Sequence, residues 1–144
     1  MEFNEHGDLP PGIYQASLSD VLAHFGEQTP TRRILGQRLE RIYHLTVQTS
    51  HLARFIIFGS FVTDKPNPGN VDVFILMENS FNAGKLDSET RMVFDHVYTQ
   101  NAMGASIFWI RRLAALGGKT ATIAHWQMKR DGTERGIVEV IADD

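Results

Sequence analysis

Gly59-Ser60-Phe61-Val62-Thr63-Asp64-Lys65-Pro66-Asn67-Pro68-Gly69-Asn70-Val71-Asp72-Val73 reads as the end of one strand, a tight loop and the start of a second strand. The apolar run Phe55-Ile56-Ile57-Phe58 leads in and Phe74-Ile75-Leu76-Met77 leads out. Gly59 has no Cβ, so a ligand can approach the backbone there. Ser60 offers a hydroxyl and a backbone N–H to phosphate oxygens, and Lys65 is a point charge suited to phosphate. Pro66, Asn67, Pro68 and Gly69 make the loop path stiff at two points and sharp at others. Side chains alternate along a strand, so Asn70, Asp72 and Phe74 point one way and Val71, Val73 and Ile75 the other, toward the core. An acid between Val71 and Val73 needs a partner: a metal, a base or a ring of N–H groups. The plainer alternative is that Gly59-Ser60 is only a tight turn and Asp72 an edge-strand acid facing water.

The rest of the chain supplies helices and further strands. Leu9-Pro10-Pro11-Gly12 is turn chemistry inside an extended N-terminal arm, residues 1–16. Ser17 is placed to cap a short helix over about 18–25, with Asp20 three residues on and Gly26 closing it. A longer helix starts near Thr29 or Thr31, with Pro30 in its first turn, and ends near Ser50. Leu35, Leu39, Ile42 and Leu45 form its apolar stripe, with Arg32, Arg33, Arg38 and Arg41 mostly off it. Strands are expected over about 54–60, 71–77, 105–110 and 137–141. Between the second and third, a helix capped by Ser88 after Asp87 runs to about Met103. Val93 and Val97 share one of its faces and Gly104 stops it. Gly117-Gly118 leaves 111–124 ambiguous, and Asp131-Gly132 is a turn. No boundary divides residues 1–144, which read as a single α+β domain.

Composition excludes several classes of function. The chain has 144 residues, 42% of them hydrophobic, enough for one core. A net charge of -3 gives no global basic field for duplex nucleic acid, so nucleic-acid binding stays undecided. Without cysteine there is no disulfide, thiolate zinc site or thiol catalysis. The polar N-terminus lacks an apolar signal region, and no run approaches the roughly 18 apolar residues of a membrane span. The expectation is a cytoplasmic protein. None of the six histidines pairs at i,i+4, so zinc is not expected. Arg111-Arg112 and Lys119 read as a basic rim to a pocket or as solvated charges, and Arg91 as within reach of a phosphate or as a surface arginine. Phe108-Trp109 should split between pocket and core, and Trp126 reads as core.

The spacing of Gly59-Ser60, the loop and Asp72 resembles the minimal nucleotidyltransferases, small bacterial proteins often encoded as antitoxins beside a ribonuclease-like toxin. The likeness extends to a group of short bacterial proteins of that superfamily. It is carried by Leu9-Pro10-Pro11-Gly12-Ile13, Gly59-Ser60-Phe61-Val62-Thr63, Lys65, Pro68 and Val71-Asp72-Val73. Trp126, Arg130-Asp131-Gly132 and Gly136-Ile137-Val138 add to it. The resemblance implies a mixed β-sheet flanked by helices. It also implies a nucleoside triphosphate held by Gly59, Ser60 and Lys65, and Mg²⁺ held by three acids. Two of those acids alternate on the second strand and the third lies on its neighbour.

Carried over by position, the acids fall on Asn70, on Asp72 and on Ser106 or Phe108. No Asp or Glu occurs from residue 96 to 130. Asp72 alone is left as metal ligand and catalytic acid, with Asn70 a weak metal ligand and Ser106 at the degenerate third position. Asp64, beside Lys65, is more simply a solvated charge than a substitute. The expectation is therefore a degenerate nucleotidyltransferase that binds Mg²⁺ weakly and works by binding a nucleotide or a protein partner. That partner would be a toxin or phage-defence component, or a second copy. The alternative is an active Mg²⁺-dependent enzyme moving an NMP to a protein, RNA or small-molecule hydroxyl. A third reading is an interaction module in which Gly59-Ser60 is only a turn.

Overall fold

The computed structural model describes residues 2–5, 7–112 and 135–142. His6, Gly117-Gly118, Lys119, His125, Trp126, Arg130, Asp131 and Gly132 lie outside the described residues. The elements run β1 (Ile13–Ser17), α1 (Leu18–Phe25), α2 (Pro30–Val47), β2 (Leu52–Phe58), β3 (Val71–Met77), α3 (Ser88–Val93), α4 (His96–Tyr98), β4 (Ala105–Arg111) and β5 (Ile137–Ile141). The strands make one five-stranded mixed sheet in the order β1-β5-β2-β3-β4. β1 is parallel to β5 and β4 to β3, while β2 runs antiparallel to both β3 and β5. The class is α+β, as expected. Among the described residues no helix is long and apolar enough to cross a membrane.

Local chemistry accounts for most element ends. Ser17 caps α1 by accepting from the Asp20 N–H at 3.2 Å, and the Gly26 N–H bonds back to the Leu22 carbonyl. Thr29 caps α2, with Pro30 as its first helical residue. Asp87, rather than Ser88, caps α3 and accepts from the Thr90 N–H at 2.7 Å.

The expected single helix to Met103 is broken. Phe94 closes α3, and Asp95 caps a fresh turn by accepting from the Tyr98 N–H at 3.0 Å. A π-turn over Thr99–Met103 then stops at Gly104, whose φ is +61°. The break shifts the helical phase. Val93 is fully buried but Val97 is 65% exposed, so the two do not share a face. The first strand also differs from expectation: it covers Leu52–Phe58, and Gly59–Val62 turns away as a short 3₁₀ segment. The N-terminal arm does not stay outside the sheet: residues 13–17 join it as its edge strand β1.

The core lies between the helices and one face of the sheet. Phe55 and Ile57 of β2, Val71, Val73 and Ile75 of β3, and Val138 and Val140 of β5 pack with Val21, Phe25, Leu35, Leu39 and Ile42. The four stripe residues of α2 are buried as expected, but so is Arg32, which is 3% exposed. The second sheet face is apolar in its middle, where Ile56, Phe74, Leu76 and Ile137 form a separate buried cluster. β3 is thus covered on both sides beyond Asp72.

Arg54 and Glu139 form a partly buried ion pair on neighbouring strands, with Arg54 Nε and Nη2 donating to the Glu139 carboxylate at 2.6 and 2.7 Å. Arg54→Met leaves that carboxylate without its guanidinium and is expected to cost about 2 kcal/mol. Adding Glu139→Met should recover most of the loss in urea denaturation. If the double variant is less stable than the single one, the pair is not the origin of the cost.

Candidate functional site

One end of the sheet gathers the segments that the sequence singles out. Across it, Ile13 pairs with Ile137, Ile57 with Val138, Phe58 with Asp72, and Asp72 with Ser106. Asp72 and Ser106 therefore sit side by side on the second face, at the register expected for the third acid.

Gly59 follows β2 with φ +77°, in the left-handed region that favours glycine. The Asp72 carboxylate lies against its Cα, and a Cβ at Gly59 would collide with Asp72 Oδ2. This contact explains the pairing of a glycine with an acid one strand away. The strand exit must turn sharply, and the space left by the missing side chain holds the carboxylate.

Polar side chains back Asp72. Asn70 Nδ2 donates to Ser106 Oγ at 2.9 Å, and Ser106 stands opposite Asp72 in the β3–β4 register. Burial pushes the Asp72 pKa up, while the Ser106 hydroxyl and the Arg135 charge pull it back in part. The net direction is upward, so the folded state holds the Asp72 proton to higher pH than the unfolded chain does. Stability from this group is thus present at low pH and lost as pH rises from the unfolded value through the folded one. Asp72→Asn is expected to be more stable than wild type at pH 7, the difference shrinking toward pH 4. Urea midpoints across that range check it, and a less stable variant at pH 7 would show that the ionised acid is well compensated.

The loop after Gly59 is held by Arg32, which sequence reasoning placed off the buried stripe. Its Nη1 donates to the Phe25 and Phe61 carbonyls at 3.0 and 2.7 Å. Its Nη2 donates to Thr63 and Lys65 at 2.6 and 2.7 Å, and its Nε donates to Lys65 at 3.0 Å. All five N–H groups of the guanidinium are used. One side chain thereby fixes the end of α1, the turn after β2 and the loop at Lys65. Thr63 adds a local lock, its N–H and hydroxyl both donating to the Ser60 carbonyl. Ser60 itself is half-buried beside the Asp72 corner, whereas Lys65 is exposed. The structure fixes the backbone of Lys65 and places no contact between its side chain and Asp72.

The N-terminal arm closes the corner. Asp8 bridges Thr63, the Asp64 N–H donates to the Gly7 carbonyl at 2.9 Å, and the Asp64 carboxylate lies over Gly7. Asp64 is thus tied to the arm, apart from Asp72. The Gly136 N–H donates to Leu9 and the Ile137 N–H to Gly12. Arg135 enters here, its Nη1 3.8 Å from Asp8 Oδ1 and its charge felt by Asp72. Neither Asp8 nor Arg135 was anticipated as part of the site.

The donor set does not fit Mg²⁺, which takes near-octahedral oxygen ligands and is usually anchored by carboxylates. The two neutral positions, Asn70 and Ser106, are bonded to each other, and a guanidinium stands near the one acid. Among the described residues no three His, Cys, Asp or Glu side chains cluster as a metal site.

The other charged candidates lie elsewhere. Arg91 donates to the Gly84 and Leu86 carbonyls, Arg111 to the Phe81 carbonyl and Arg112 to Glu78. Trp109 packs with the core and donates from Nε1 to the Phe94 carbonyl, while Phe108 joins the second face. His24 and His96 pack against aromatic rings.

No curated protein and no solved structure matches the chain. One family model, described as "Family of unknown function (DUF6932)", matches residues 1–141. The chain accordingly belongs to the DUF6932 family of unknown function.

Proposed function

We propose that this chain is a nucleotidyltransferase-like protein that binds a nucleotide at the Gly59–Asp72 corner and acts by recognition rather than turnover. The observation that carries this is the hydrogen-bonded pair of Asn70 and Ser106 beside Asp72. It occupies with neutral groups the two places beside Asp72 where the reaction needs charge to hold metal ions. Transfer of an NMP depends on electrostatic stabilisation of the phosphoryl group, and removing two carboxylates from a metal site costs several kcal/mol of barrier. Binding makes no such demand. It needs a rigid loop and hydrogen-bonding groups, and the Arg32-anchored loop and the half-buried Ser60 supply these. The resemblance adds a setting, a bacterial toxin–antitoxin or phage-defence pair, in which the bound state would be read by a protein partner.

The test is calorimetric titration with ATP, GTP, CTP and UTP, followed by chromatography of the recovered nucleotide. The expected result is binding in the micromolar range for at least one nucleotide, recovered intact. Pyrophosphate release that disappears in Asp72→Ala would establish a working enzyme and contradict the proposal. Absence of binding to all four would leave the fold as an interaction module.

A further inference from the structure

We infer that Arg135 supplies the positive charge of the Gly59–Asp72 corner, so that the corner takes the phosphate chain of a nucleotide without Mg²⁺. This rests on the binding reading above and adds to it the ionic form of the ligand and the residue that neutralises it.

The placement of Arg135 is set by backbone. The Gly136 N–H donates to the Leu9 carbonyl at 2.8 Å and the Ile137 N–H to the Gly12 carbonyl at 3.1 Å. A side chain at position 136 would run into Pro10, Leu9 and Tyr14, so the strand start lies flat on the arm. Ile137 faces the second side of the sheet with Ile56 and Phe74. The Arg135 guanidinium faces Asp8, which bridges Thr63 beside the corner, and its charge is felt by Asp72.

The guanidinium is held there with donors to spare. Its Nη1 is 3.8 Å from Asp8 Oδ1, close enough for charge attraction and too long for a hydrogen bond. Its Nε is buried and makes no hydrogen bond among the described residues. Arg32 shows what a structural arginine looks like in this protein, with every N–H satisfied by a carbonyl. Arg135 departs from that pattern, and its side chain remains 20% exposed. A charged donor left unpaired in a partly buried place is costly unless an acceptor arrives. Phosphate is an acceptor whose geometry the guanidinium fork matches in two parallel bonds. A divalent cation would instead meet a like charge, with Asp72 and Asp8 already in the field of the arginine.

Titration of ATP into the full chain, once in excess EDTA and once in Mg²⁺, tests this with wild type, Arg135→Gln and Asp72→Asn. ATP is expected to bind in EDTA at least as tightly as in Mg²⁺. Arg135→Gln should weaken EDTA binding by tenfold or more. Asp72→Asn, which removes an opposing charge, should tighten it. Binding that requires Mg²⁺, is lost in Asp72→Asn and ignores Arg135→Gln would overturn the inference while sparing the binding reading. No binding of ATP, GTP, CTP or UTP in either buffer would overturn both. Should Arg135→Gln fail to fold, the comparison of EDTA with Mg²⁺ in wild type decides the question alone.

Discussion

Arg32→Met is expected to lower the stability of the protein by about 3 kcal/mol or more, because each buried carbonyl left without its donor costs about 1–3 kcal/mol. The apolar stem is nearly kept, so lost packing is a minor part. What is lost is the set of five hydrogen bonds to the carbonyls of Phe25, Phe61, Thr63 and Lys65. Those carbonyls come from a helix end, a turn and a loop, which have few other donors to share. Burial lowers the pKa of Arg32 and the nearby Asp64 charge opposes that shift. The ordinary value is so high that the group stays charged. Arg32→Lys should recover little, because an ammonium has three donors and no planar fork. Urea denaturation of the three proteins checks this. A loss below about 1 kcal/mol in Arg32→Met would mean that water or backbone rearrangement satisfies the four carbonyls.

Gly59→Ala is expected to cost about 3 kcal/mol from two separable causes. The left-handed backbone at φ +77° costs a non-glycine residue roughly 1–2 kcal/mol. The remainder comes from the new methyl group, which displaces the Asp72 carboxylate from its place over the glycine. A double-mutant cycle separates them. In an Asp72→Ala background the cost of Gly59→Ala should fall to the backbone part alone, about 1–2 kcal/mol. Equal costs in both backgrounds would show that the carboxylate does not rest on Gly59.

Four of the five strands were legible as short apolar runs, whereas the edge strand β1 read as part of the arm. Alternation put Ser106 or Phe108 on the Asp72 face, and the pairing of β3 with β4 decides for Ser106. The helix ends were legible where a capping side chain stood at the right offset, as at Ser17 and Thr29. The break at Asp95 was missed because a capping residue inside an otherwise helical stretch also reads as a surface acid. Arg32 carried a signal that charge concealed. It lies three residues before Leu35 and seven before Leu39, in phase with the buried stripe. Its partners are loop carbonyls, and no residue type announces a free carbonyl. Asp8 and Arg135 left no trace in local pattern. They meet only because the arm folds back on the start of β5, a contact between residues far apart in sequence.

The most direct test of the account is an amide ¹H–¹⁵N correlation spectrum of the full chain recorded during titration with ATP in EDTA. The account predicts saturable shifts at Gly59, Ser60, Phe61, Asp72, Ser106, Arg135 and Gly136, with the far end of the sheet around Leu52 and Ile141 unmoved. Saturable shifts confined to that far end, or an unchanged spectrum at millimolar ATP, would contradict it.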